Sequence, residues 1–228
     1  MLYEKLKFRT MGNRSLLVEL GDEISPSVNQ RVQELFTAMD MHPVDGVREL
    51  VPSYRSLLVI YDPLNISPAD LEHTIRDTYH NLDQAELPEP RTIDIPIVYG
   101  GEQGPDLESV AQYHHITPQE VIDYHTRPIY RVYMIGFTPG YPYLGEVPDA
   151  ISTPRRETPR ILVPQGSVGI AQKQTGIYSV DSPGGWQIIG WTPVDLFDPQ
   201  AQPPSLLMMG DRVRFQAISA QDASQWQP

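Results

Sequence analysis

The chain contains no cysteine, which removes disulfide scaffolds, thiolate-bound zinc and thiol catalysis together. It has no apolar run long enough to span a bilayer. Its first residues, MLYEKLKFRTMGNRSLLVEL, carry Lys5, Lys7 and Arg9 without the apolar stretch of a signal peptide. A cytoplasmic protein without membrane contact is the expectation. Positive charge is also scarce: 17 Lys and Arg face 29 Asp and Glu, a net charge of -12. Such a chain repels phosphate backbones, which argues against nucleic acid as a partner. Histidine is missing from the glycine-rich stretch that follows, since all six lie at or before His125. His114 and His115 are adjacent and point to different faces of a helix, a poor zinc arrangement, and no metal is expected. There is no Gly-Lys-Ser/Thr of a P-loop, and Gly166-Ser167-Val168-Gly169 falls one residue short of a Gly-x-Ser-x-Gly nucleophile elbow.

With 228 residues, 40% apolar and 20% charged, the chain is an ordinary folded protein of one large domain or two small ones. Residues 14–20 read as a strand. A helix follows from Ser25-Pro26, with Val28, Val32, Leu35, Phe36 and Met39 at three- and four-residue steps. VRELVPSY and SLLVIYD read as two further strands. A second Ser-Pro start at Ser67 opens a helix with Leu71, Ile75 and Tyr79 on one face. This order predicts a small α+β domain of split-βαβ, ferredoxin-like type over residues 1–88. The acidic, Pro-rich segment 83–90 is the expected joint. Charge does not separate the halves, because 8 basic against 14 acidic residues in 1–88 and 9 against 15 in 89–228 leave each at -6.

From residue 89 the pattern changes. RTIDIPIVYG alternates like a strand, and short helices follow at DLESVAQYH and TPQEVIDYHT, the second opened by a Thr117/Glu120 capping box. After Tyr130 come six short β-rich runs separated by Gly and Pro, which argue for a closed β-barrel over 89–228. Ser182-Pro183-Gly184-Gly185 reads as a type II turn, predicting a hairpin between GIYSV and WQIIGW.

Nine of the 16 glycines lie between Gly136 and Gly190. They serve either tight barrel corners or backbone that approaches a ligand closely. The decapeptide GFTPGYPYLG (136–145) is too kinked for a helix and too aromatic for a linker, so it reads as an ordered wall with Phe137 and Tyr143 covered from large partners. TPRRETPR (153–160) sets Arg155, Arg156 and Arg160 against Glu157. It is either solvated surface or a site for a small anion, since guanidinium grips carboxylate and phosphate in a plane. Gln165, Ser167, Gln172, Gln174, Thr175 and Ser182 surround it as uncharged hydrogen-bonders. His125, at the end of a predicted helix, is read as a helix-end cation in preference to a catalytic group.

The stretches YRVYMIGFTPGYPYLG, TPRRETPR and VPQGSVGIAQKQTGIYSVDSPGGWQIIGWTP together resemble the allophanate hydrolase subunit 1 family, and the resemblance covers essentially the whole chain. Members include KipI, a sporulation kinase inhibitor, and the B-type component of the ATP-dependent 5-oxoprolinase. The resemblance implies a cyclophilin-like barrel behind a small α/β domain. It also implies a companion of subunit 2 or KipA type and a third, LamB/YcsF-like subunit. ATP would be used by the assembled complex and not held by this chain through a P-loop. The motifs place Phe137, Pro139, Tyr143, Arg155, Arg160, Gln174, Thr175, Gly184, Gly185 and Trp186 at a substrate site, with catalytic residues unassigned. Two positions depart from the family pattern: Trp191 stands where an Arg is usual, and Glu146 where a Gly is usual. The leading expectation is a subunit of a 5-oxoprolinase-type amide-opening enzyme, inactive or nearly so alone. The rival readings are a KipI-like kinase inhibitor, with the aromatic segment as a docking surface, and a urea- or allophanate-degrading assembly.

Overall fold

The computed structural model describes residues 1–82 and 89–226, and the chain forms two compact units, Met1–Glu89 and Pro90–Pro228. The expected boundary near residue 88 lies outside the described residues. No helix among those described is long and apolar enough to cross a membrane.

The first unit runs β1 (Leu2–Thr10), β2 (Ser15–Gly21), α1 (Pro26–Met41), β3 (Val47–Pro52), β4 (Ser56–Tyr61) and α2 (Pro68–His80). Both helices start as their sequences dictate: Ser25 Oγ accepts the Val28 N–H, Ser67 Oγ accepts the Asp70 N–H, and a proline occupies each first turn. Val28, Val32, Leu35 and Met39 of α1 and Leu71 and Ile75 of α2 are buried, whereas Phe36 and Tyr79 are only partly covered. The sheet order is β1-β2-β4-β3, antiparallel throughout. Strands β2 and β3 therefore run parallel, joined by α1, with β4 inserted between them. The ferredoxin-like order expects the strand beside β2 to follow α2; here it is β1, the first segment of the chain. That strand escapes pattern reading because only Leu6 of its nine residues is buried. Its Lys5, Lys7 and Arg9 are the charges that guard a sheet edge.

The second unit contains β5 (Thr92–Tyr99), α3 (Leu107–His114), α4 (Pro118–Thr126), β6 (Ile129–Ile135), β7 (Pro142–Gly145), β8 (Arg160–Val163), β9 (Ser167–Ala171), β10 (Gln174–Ile177), β11 (Ser182–Gly184), β12 (Gln187–Trp191), β13 (Arg212–Ala217) and α5 (Ala220–Ser224). Seven of these strands close a barrel in the order β10-β7-β6-β13-β5-β12-β9, while β8 and β11 pair as a separate ribbon. Strands β5 and β13 run parallel; the other barrel pairs are antiparallel. One apolar core joins Ile95, Ile97, Val132, Ile170, Ile189 and Phe215 to Leu107 and Val110 of α3 and Val121 of α4. Helix α4 carries the Thr117/Glu120 capping box that its sequence announces.

Two expectations are corrected here. Residues 182–185 do not make a hairpin turn. Strand β10 pairs with β7 and β9, and Ser182–Gly184 is itself a short strand opposite Val163 and Arg160. Pro183 is tolerated because a two-stranded ribbon asks for few ladder hydrogen bonds. The hairpin in this region joins β9 to β10 through Gln172, at φ +53°. His125 is not a helix-end cation. It is fully buried, stacked on Phe215 at 4.6 Å between ring centres. Thr175 Oγ1 donates to the Gly169 carbonyl at 3.0 Å, so it receives the His125 Nε2–H at 2.9 Å, and His125 Nδ1 accepts the Tyr99 hydroxyl at 2.7 Å. Burial pushes the imidazole down to about 3, so it is neutral.

Candidate functional site

Three segments of the second unit build one surface cavity of about 270 Å³. The first is the loop between β6 and β7. Gly136 N–H donates to Tyr141 O at 3.0 Å, Tyr141 N–H to Thr138 O at 3.1 Å, and Ser179 Oγ to Pro139 O at 2.6 Å. These bonds fold the loop onto itself, and Gly140, at φ +74°, lies so close to Phe197 that a Cβ there would stand 2.7 Å from it. Tyr141 is thereby driven inward, 1% exposed. It meets four rings edge to face: Phe137 at 5.6 Å, Tyr143 at 4.9 Å, Tyr178 at 5.2 Å and Trp186 at 5.9 Å. This is the favoured geometry for aromatic quadrupoles.

The second segment is the strand β11 and its continuation to Trp186. A Cβ on Gly184 would fall on the Tyr178 hydroxyl, so only glycine lets this strand lie against that ring. The third is the basic loop. Arg156 N–H donates to Gly185 O at 2.7 Å, and Gln187 Nε2 donates to Pro154 O at 2.9 Å, pinning residues 154–156 along the start of β12. Arg155 emerges at the cavity rim, its guanidinium carbon 6.0 Å from the centre of the Trp186 ring.

Six of the ten sequence-predicted site residues line this cavity: Phe137, Tyr143, Arg155, Gly184, Gly185 and Trp186, joined by Tyr141, Tyr178, Pro159 and Pro183. The other four do not. Pro139 is exposed and only its carbonyl is engaged, by Ser179. Gln174 is half-buried on β10, and Thr175 is a core hydroxyl bound to His125 and Gly169. Arg160 turns away. Its Nη2 meets Asp106 Oδ1 at 2.8 Å, and it lines a different cavity of about 240 Å³ with Glu102, Ser167 and Trp191. An arginine committed to a buried carboxylate is not available to grip an anion. Phe137 also departs from expectation, because it is 59% exposed. At φ +65° it sits on the outside of the loop, one edge resting on Tyr141.

Electrostatically the cavity is apolar with one cation. Arg156 shares Asp106 with Arg160, at 3.0 Å. Among the described residues Arg155 alone of the three makes no ion pair. Burial pushes the Tyr143 and Tyr178 phenols up, so both stay protonated at neutral pH. Nothing lining the cavity exchanges a proton near neutrality. The arrangement can hold and orient a small ligand with a planar face and an anionic group; it supplies no general base. Asp106 lines neither cavity, but it is the partner of two of the three arginines, and sequence reading missed it because an aspartate opening a helix passes for an ordinary N-cap. The two departures lie elsewhere: Trp191 Nε1 donates to Gln165 O at 2.9 Å, and Glu146 is exposed, its charge acting with burial to push the Tyr133 phenol up to about 12.

The second unit is thus a seven-stranded barrel bearing a ring-lined cavity with Arg155 at its rim. The chain belongs to the family of the carboxyltransferase domain, subdomain C and D, whose model matches residues 6–207. The resemblance to allophanate hydrolase subunit 1 thus holds. The chain is 42% identical over 231 residues to the B-type component of 5-oxoprolinase from Bacillus subtilis, covering 96% of this chain and 95% of that protein. It is 43% identical over 189 residues to the corresponding 5-oxoprolinase component of Haemophilus influenzae, covering 83% and 88%. The crystal structure of TTHA0988 superposes with a TM-score of 0.80 at 37% identity, covering 91% of this chain. This chain spans only 40% of the TTHA0988 chain.

Proposed function

We propose that this chain is the substrate-holding subunit of an ATP-dependent 5-oxoprolinase-type complex that opens 5-oxoproline to glutamate. The observation that carries the reading is the aromatic cavity with Arg155 unpaired at its rim. A five-membered lactam acid offers a flat ring for Tyr143, Tyr178 and Trp186 and a carboxylate for Arg155. At about 270 Å³ the cavity suits such an acid. ATP, used by the complex, would activate the lactam oxygen by phosphorylation. This chain's residues would hold the ring, orient the carboxylate and keep bulk water from one face. The companions are a KipA-like, allophanate hydrolase subunit 2 protein and a LamB/YcsF-like subunit. They would supply nucleotide handling and the proton transfers that the cavity lacks. The cyclophilin-like class of the barrel belongs to the same reading, by way of the family.

The test is reconstitution. Mixed with its two companions, the chain should support ATP-dependent release of glutamate from 5-oxoproline, and alone it should support little or none. Turnover by the chain alone at an undiminished rate, or no turnover by the complex, rejects the reading.

One observation favours a second reading. Phe137, 59% exposed on a stiffened loop, is the kind of side chain that centres a protein interface. A KipI-like inhibitor of a sporulation histidine kinase would use it for docking, with the cavity incidental.

A further inference from the structure

Asp106 opens helix α3, where an aspartate ordinarily accepts an N–H of its own first turn. It makes no such bond. Its carboxylate is 5% exposed and serves two other segments instead. Oδ1 accepts Arg156 Nη1 at 3.0 Å and Arg160 Nη2 at 2.8 Å, and Oδ2 accepts the Ile188 N–H at 2.6 Å. The Asp106 N–H returns a bond to Ile188 O at 2.8 Å. A buried carboxylate that leaves its own helix uncapped to gather three donors from a loop and a strand is acting at the tertiary level.

We propose that Asp106 is a positioning residue for the aromatic cavity, tying the basic loop to β12 and holding the guanidinium groups of Arg156 and Arg160 so that Arg155 alone faces the ligand. The loop is the wall that carries Arg155; it is also tied by the Arg156 N–H to Gly185 O, Gln187 Nε2 to Pro154 O and Gln172 N–H to Thr153 O bonds, by the Thr153–His114 contact, and by Arg160 Nη1 to Trp186 O at 3.5 Å. Without the carboxylate, two partly buried guanidinium groups lose their counter-ion and swing toward water. With it, one guanidinium is presented, which suits a monocarboxylate better than a multiply charged anion. This inference rests on the reading above only for the identity of the ligand.

The experiment has two arms. In the first, amide hydrogen exchange is followed in the full chain for wild type, Asp106→Asn and Asp106→Glu. Asp106→Asn should speed exchange at the Arg156 and Ile188 amides by about tenfold or more, the effect of losing charge-assisted hydrogen bonds. Strands β5 and β13 should stay protected, and Asp106→Glu should restore part of the loop's protection. Unchanged loop exchange in Asp106→Asn, or equal loss throughout the barrel in both variants, overturns the proposal. In the second arm, Asp106→Asn in the reconstituted complex should raise KM for 5-oxoproline at least about tenfold with kcat nearly held, the pattern of lost ground-state binding. A fall in kcat with KM unchanged overturns it. A wild-type complex that does not turn over 5-oxoproline rejects the substrate reading, and the exchange arm then decides the role of Asp106 by itself.

Discussion

Arg160 Nη2 lies 2.8 Å from Asp106 Oδ1, inside the fold and not over the cavity. The pairing divides the three arginines of the basic loop into two that hold the protein together and one that stands at the rim of the aromatic cavity. Arg160→Ala should therefore act on stability. Removing one partner of a buried carboxylate costs about 1–3 kcal/mol, and retention of the Arg156 and Ile188 bonds keeps the loss at the lower end. Urea titration should show a lowered midpoint with an unchanged slope; a variant as stable as wild type that still loses ligand would return Arg160 to the site.

Gly184→Ala should damage the cavity while sparing the barrel. A methyl there falls on the Tyr178 hydroxyl, and overpacking of this kind costs about 1–3 kcal/mol. The near-ultraviolet circular dichroism of the Tyr and Trp cluster should change while the far-ultraviolet spectrum does not. Identical near-ultraviolet spectra would show that the strand does not lie against that ring.

His125 gives the fold a defined acid limb. In the unfolded chain the imidazole titrates near about 6.5, whereas in the fold burial holds it at about 3. Between those values the unfolded state binds a proton that the folded state does not, so stability is full above about pH 6.5 and falls as pH drops. The slope from this group is about 1.4 kcal/mol per pH unit. Unfolding free energies measured from pH 7 to 4.5 should fall more steeply for wild type than for His125→Asn; parallel curves would contradict the buried, neutral assignment.

Phe137→Ala separates enzyme from inhibitor. On the substrate reading the ring only rims the cavity, so the variant should co-purify with the companions and raise KM modestly, since one exposed edge contact is lost. A variant with untouched activity that fails to bind a histidine kinase would instead establish docking as the role of this loop.

What was legible in the sequence follows from where local chemistry settles structure. The Ser25-Pro26 and Ser67-Pro68 starts and the Thr117/Glu120 box each carry their cause in neighbouring residues. Strand β1 was hidden because an edge strand buries little and here only Leu6 marks its inner face. The Ser182-Pro183-Gly184-Gly185 segment misled because turn chemistry and the demand for a strand lying flat on Tyr178 select the same residues. Phe137, Tyr143, Arg155 and Trp186 could be gathered from composition and family motif. The separation of Arg155 from Arg160 could not. It depends on Asp106, distant in sequence and disguised as a helix cap.

The most direct test of the central claim is the KM for 5-oxoproline of the reconstituted complex carrying Arg155→Ala. If Arg155 is the lone cation that holds the substrate carboxylate, KM should rise at least about tenfold, the worth of a charge-assisted hydrogen bond. The melting temperature and co-purification with the companion proteins should match wild type, because among the described residues Arg155 makes no ion pair that the fold needs. A complex that assembles normally and turns over 5-oxoproline with an unchanged KM would contradict the account.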